Sequence, residues 1–189
     1  MNEDPALGWY DSQGIVFVPV SVARDPDRLA EVLRHESTHH RLARGTSYGL
    51  LQQAVAALRP VAWEAPSEAW SAPADLLDRH SRGLQEAAAT YCSLVVLDPT
   101  ARAAAVKRLP ELYLSGHQRF AALLDGRGFD AERRSRIALA IAARCLDTTV
   151  VGDWQRLGLA DPRTLAGYLE QAGNSPDRRS ARPWTTWRS

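Results

Sequence analysis

Two periods of apolar residues run along this chain. From Gly14 to Val22 the stretch GIVFVPVSV is almost continuously apolar and rich in β-branched residues, and the polar run ARDPD follows it. That pattern predicts one strand, with Pro19 marking an edge position or the strand's end. Beyond it, apolar residues recur every three or four positions, which is the helical period. Asp25 before Pro26 predicts an N-cap and a first helical residue, for a helix reaching about Ala43 and stopping at Gly45. SYGLLQQAVAALR (47–59) predicts a second helix closed by Pro60.

A loop carrying Trp63 and Trp70 separates it from a long helix between Pro73 and about Leu97, ended by Asp98 and Pro99. The two tryptophans are expected to anchor that loop, with contact to a substrate as the alternative. ARAAAVKRLPELYLSGHQRFAALLDG, broken near Pro110, and DAERRSRIALAIAARCLDTTV add further helices, and a shorter one lies around 162–172. The expectation is a mainly α fold, or an α+β fold with a small N-terminal sheet. One domain covers residues 1–172, and residues 173–189 form a polar, mobile tail.

Composition narrows the function classes. Hydrophobic residues make up 45% and charged residues 24% of 189 positions, and the formal charge is +1. Such a chain suits a globular domain and has no overall field that would draw in nucleic acid or a membrane surface. SRIALAIAARCLDTTVVGDWQRLGL has a faint helix–turn–helix character, but no focused basic recognition helix accompanies it, so no nucleic-acid partner is expected. The start MNEDPALGWY lacks a signal-peptide pattern, and no apolar run is long enough to cross a bilayer, so a cytoplasmic setting is expected. Cys92 and Cys145 lie far apart inside helical segments and read as buried thiols rather than a disulfide or zinc ribbon.

The candidate chemistry sits in RHESTHHRL, residues 34–42. His35, Glu36 and His39 match H-E-x-x-H, and four helical residues return a side chain to within about 40° of the same face. Both imidazoles would therefore reach one ion, and zinc takes nitrogen ligands while tolerating a position left open for water. Glu36 falls on the inward arc marked by Leu29, Val32 and Ala43. A carboxylate there needs a partner or a wet cleft, and beside a metal site it would take a proton from water. His40 points about 100° away from His39 and is expected to pack or to support the ligands rather than to be one.

Two histidines need a third ligand. Glu86 in GLQEAAATY is the best candidate, since Gly83, Thr90 and Ser93 on its helix are small and would let another helix lie close. The competing reading is a salt bridge of Glu86 with Arg82 at i,i+4, or with Arg79. His80 is expected to be solvated.

HESTH on one helix and QEAAATY on a later one resemble the gluzincin group of zinc metallopeptidases. The resemblance covers roughly residues 14–97. It implies a zincin-like helical core, Zn2+ held by His35, His39 and Glu86, Glu36 as general base, and a peptide or protein as substrate. The 47 positions from His39 to Glu86 exceed the interval of the best-known members. The residue that stabilises the oxyanion is not assigned by the pattern. Tyr91, Tyr113 and His117 are candidates, with His117 the first to test because it lies in a separate helix that would cover the cleft. The alternative function is a helical protein in which zinc is a structural clamp, or which binds partners without catalysis.

Overall fold

The computed structural model describes residues 9–10, 16–58 and 67–180. Trp63 and the end of the expected tail, residues 181–189, lie outside the described residues. Two short strands, β1 (Trp9–Tyr10) and β2 (Val16–Phe17), pair antiparallel with Trp9 opposite Phe17. The strand expected over 14–22 is thus only partly found. After Phe17 the chain reaches Pro19, whose carbonyl accepts from the Val22 and Ala23 amides, both at 3.0 Å, and helix α1 (Val20–Ala23) begins. Pro19 sits at φ −58°, the value its ring imposes, and that turn overrides the β-branched run.

The remaining elements are helical: α2 (Pro26–Gly45), α3 (Ser47–Leu58), α4 (Ser71–Leu94), α5 (Pro99–Val106), α6 (Glu111–Leu124), α7 (Ala131–Leu146), α8 (Val150–Arg156), α9 (Pro162–Glu170) and α10 (Pro176–Ser180). Short 3-10 turns precede α4 and α10. Three of these helices open on an Asp-Pro pair. Asp25, Asp98 and Asp161 each cap their helix by accepting from backbone amides of its first turn. Removing such a cap costs about 1 kcal/mol. The chain is mainly α, as its pattern predicts, and no described helix is long and apolar enough to cross a membrane.

Helix α4 is the axis of the fold. It packs against α2, α3, α6, α7, α9 and α10. Its second half shows why: Ala87, Ala88, Ala89, Thr90, Tyr91, Cys92, Ser93 and Leu94 are all buried, so no face of that stretch meets solvent. A helix buried all round needs small side chains to admit its neighbours, and the alanine run supplies them. Leu42, Leu77, Leu84, Phe120, Leu146, Leu165 and Leu169 fill the space between α4 and the surrounding helices. Each such side chain contributes about 1.5–3 kcal/mol by leaving water. Trp70 packs against this core, the anchoring role expected of it.

The segment expected to begin a mobile tail is structured up to Ser180. Pro176 and Ser180 are buried, and α10 lies on α4 and α7. The polar character that suggests a tail belongs to a docked helix, because its polar groups are spent on backbone contacts. Arg119 of α6 donates to the Ser180 carbonyl at 2.7 Å, and Arg179 donates to the Asp147 carbonyl at 3.0 Å.

Candidate metal centre

The histidine pair stands on α2 as its spacing requires. The Nε2 atoms of His35 and His39 are 3.1 Å apart, with the rings tilted 64° to one another. Glu86, reaching from α4, brings Oε2 to 3.3 Å from His35 Nε2 and 3.5 Å from His39 Nε2. The competing salt bridge to Arg82 does not form; Arg82 pairs with Asp78 on the exposed side of α4. Among the described residues, His35, His39 and Glu86 are the one group of such side chains whose ligand atoms converge. They are partly buried, with side-chain exposures of 23%, 13% and 21%, which leaves an approach from solvent.

These distances can be tested against an ion. Zinc with bonds of about 2.0–2.1 Å in tetrahedral geometry separates its ligand atoms by about 3.3 Å, and the three edges here are 3.1, 3.3 and 3.5 Å. A triangle with those edges has a circumradius of about 1.9 Å, just under a zinc bond length. Either protons on the imidazoles or a bound cation would satisfy the lone pairs that meet here. The cluster is consistent with a metal-binding triad of the H-E-x-x-H kind. Two imidazoles and one carboxylate form the donor set of a zinc site with a coordination position to spare.

Protonation equilibria in the cluster follow from the same contacts. Burial alone would raise Glu86, but hydrogen bonds from His35 and His39, with their charge, hold it well below the usual carboxylate range. Burial pushes His39 down, yet the Glu86 carboxylate, together with the charge of Glu36, lifts it above its ordinary value. Glu36 is buried at 5% exposure on the inward arc of α2. Desolvation raises it, opposed by the two histidines and reinforced by Glu86. A carboxyl group so placed is a better proton acceptor than one in water.

A support with no signature in the sequence is Gln85. Its side chain hydrogen-bonds His39. Its Nε2 donates to Gln52 Oε1 of α3 at 3.1 Å and to Ser81 Oγ at 3.0 Å. With the amide nitrogen engaged there, its oxygen is left to accept from the histidine ring. An acceptor on the ring nitrogen away from Glu86 would keep Nε2 unprotonated for a metal.

The remaining candidates are distributed differently from expectation. His117 is buried, at 5% exposure, beside the Tyr91 ring (centroids 5.7 Å apart) and 3.5 Å from Arg102 Nη2. Burial and then the Arg102 charge push it below its ordinary range, with Asp125 opposing. Tyr91 donates its hydroxyl to Asp125 at 2.8 Å, and Arg102 and Arg134 donate to the same carboxylate. Tyr91 and His117 thus belong to a network that ties α4, α5, α6 and α7 together. Tyr113, one turn before His117 on α6, is the tyrosine that feels the triad: burial and then the charge of Glu86 raise its phenol, and Glu36 adds to the effect.

His40 is partly buried and stays outside the triad. His80, expected in solvent, is partly buried with a shielded Nδ1. Cys92 and Cys145 are free, buried thiols. Gly83 does not serve the α2–α4 contact that its small size suggests; it faces Asp177 of α10. Comparison with protein-family models, with curated proteins and with solved structures found no match to this chain.

Proposed function

We propose that this protein is a zinc-dependent hydrolase that cleaves peptide bonds, with His35, His39 and Glu86 as metal ligands. The observation that carries the reading is the triangle of ligand atoms with zinc-like edges, with the buried carboxyl of Glu36 next to it in the same helix. A divalent ion held there would supply Lewis acidity, polarising the scissile carbonyl and making water acidic enough to be deprotonated near neutral pH.

The other steps fall to the chain's own groups. Glu36 takes a proton from the attacking water as its oxygen bonds to the carbonyl carbon. It then delivers that proton to the leaving nitrogen as the C–N bond breaks, which returns the carboxylate to its starting state. Tyr113, rather than His117, is the side chain whose electrostatic surroundings include both Glu36 and Glu86, which supports it as the hydrogen-bond donor to the developing oxyanion. Peptide as the substrate class follows from the gluzincin-like pairing of HESTH with QEAAATY.

Two measurements on the purified chain test the proposal. Elemental analysis should find about one zinc per chain. A quenched-fluorescent peptide library should be hydrolysed by the wild type and not by Glu36→Gln, while that variant keeps its metal. Loss of zinc from Glu36→Gln would make Glu36 a ligand, and full activity would remove it as the base. Zinc bound without hydrolysis of any peptide would leave a structural clamp as the function.

A further inference from the structure

The ligand-bearing helix is gripped from outside by the chain's C-terminal segment. Asp177 of α10 accepts a hydrogen bond at 2.8 Å from the backbone amide of Leu84, in the middle of α4. The Gly83 amide is directed at the same carboxylate. A helix interior rarely offers its amides to a side chain, because each already donates to the carbonyl four residues earlier and neighbouring side chains crowd the approach. Here Gly83 removes that obstacle: a Cβ at this position would stand 3.0 Å from Asp177 Oδ2. The carboxylate lies in the wall of a surface cavity of about 500 Å³, lined also by Asp75, Asp78, Arg79 and Arg82. It is held there by α10, which Arg119 and Arg179 fasten to α6 and to the end of α7. Within α10, Ser180 Oγ donates to the Asp177 carbonyl at 2.7 Å and closes the short helix on itself.

We propose that Asp177 is a positioning residue for the metal triad, fixing the rotation of α4 so that Glu86 meets His35 and His39. The inference rests on the metal reading of the triad. Leu84 is immediately followed by Gln85 and Glu86, the residues that orient His39 and complete the ligand set. Side-chain tips lie about 5–6 Å from a helix axis, so a rotation of about 20° would carry the Glu86 carboxylate through about 2 Å. Ligand atoms separated by 3.1–3.5 Å do not survive such a displacement. The hydrogen bond to the backbone adds a fixed stop beside Leu84 to the side-chain packing that already holds the helix. The C-terminal segment is on this account part of the metal centre, although it contributes no ligand.

The experiment measures zinc affinity of the full chain by competition with a chromophoric chelator, together with the visible spectrum of the Co2+-loaded protein. Asp177→Ala and Gly83→Ala should each weaken zinc binding by about tenfold or more and alter the cobalt bands. Asp177→Asn, which keeps an acceptor oxygen, should stay within about threefold of the wild type. Gly83→Ala separates positioning from stability, because alanine favours helix over glycine and a purely structural effect would leave affinity unchanged. Val55→Ala, a core truncation in α3, controls for general loosening and should leave affinity unchanged. Wild-type affinity and an unchanged cobalt spectrum in both Asp177→Ala and Gly83→Ala would overturn the inference alone. A loss in Val55→Ala equal to theirs would also overturn it. A wild-type chain that takes no zinc from the chelator would remove the metal reading, and this inference with it.

Discussion

Gly116 of α6 lies so close to Ala87 of α4 that a Cβ on the glycine would stand 2.6 Å from the Ala87 Cβ and 2.9 Å from its Cα. Ala87 lies one residue beyond Glu86, and Gly116 three beyond Tyr113. Substituting Gly116→Ala forces the two backbones apart. The expected cost is about 1–3 kcal/mol, read as a lower urea midpoint at unchanged m-value. Hydrolysis should fall by more than the stability loss explains, since Tyr113 moves away with α6.

Metal binding should show as linkage. Zinc at a hundred times its dissociation constant raises stability by about 2.7 kcal/mol. For a domain of this size that is a rise in Tm of roughly 5–11 °C over the chelator-treated protein. His35→Ala, His39→Ala and Glu86→Ala should each abolish most of the shift in differential scanning calorimetry, because two donors from the set hold zinc poorly.

Glu36 carries a cost that its function would explain. Its carboxyl is raised by burial, so the folded state holds the proton more tightly than the unfolded chain does. For an acid with a raised value, stability is fully present below the unfolded pKa and lost as pH rises through the folded one. Chelator-treated Glu36→Gln should therefore resemble the wild type near pH 4 and melt a few degrees higher at pH 7, at about 2–4 °C per kcal/mol. Equal melting temperatures at both pH values would show that the carboxyl bears no burial penalty.

Asp125 should behave in the opposite sense. Burial raises it, but hydrogen bonds from Tyr91 and Arg102, the Arg102 charge and Arg134 together hold it below the usual carboxylate range. Its contribution is therefore present above the unfolded Asp pKa and fades as pH falls through the folded one. Asp125→Asn should lose about 2 kcal/mol at pH 7, allowing for the solvent at one edge of the cluster, and progressively less as pH falls below the unfolded Asp value. Denaturant midpoints across that range would display the convergence.

Tyr113 and His117 give a direct contrast within one helix. Tyr113→Phe should lower kcat by about a hundredfold with KM little changed and stability preserved. His117→Ala should instead destabilise the network around Arg102 and Asp125 while leaving kcat of the folded fraction near the wild-type value. The reverse pattern would restore His117 as the oxyanion donor.

The contrast also shows where the sequence stops being informative. His35, Glu36 and His39 can be read directly, because helical spacing within one element fixes which side chains share a face. The Asp-Pro helix starts are local for the same reason. Tyr113 and His117 share a face of α6 and lie one turn apart, so only the offset of α6 along α4 decides which of them comes under the charge of Glu86. That offset depends on the contact of Gly116 with Ala87, which no local pattern encodes. Gly83 is similar: its size announces a close neighbour without saying which helix supplies it. Gln85 carried no signal at all, since an amide beside a ligand is unremarkable until its partners Gln52 and Ser81 are placed. The strand over 14–22 failed for another reason, a proline turn winning over β-branched composition.

The second half of helix α4, buried on every side, has a kinetic consequence. Its amides should be among the slowest in the molecule to exchange with deuterium, because reaching them requires opening the whole domain rather than fraying an end. The two sides of the candidate metal centre would then differ in persistence: Glu86 stands on a well-protected segment, while His35 and His39 stand on a helix with an exposed flank. An ion held between them would leave when the histidine helix swings out, with the glutamate still in place behind it.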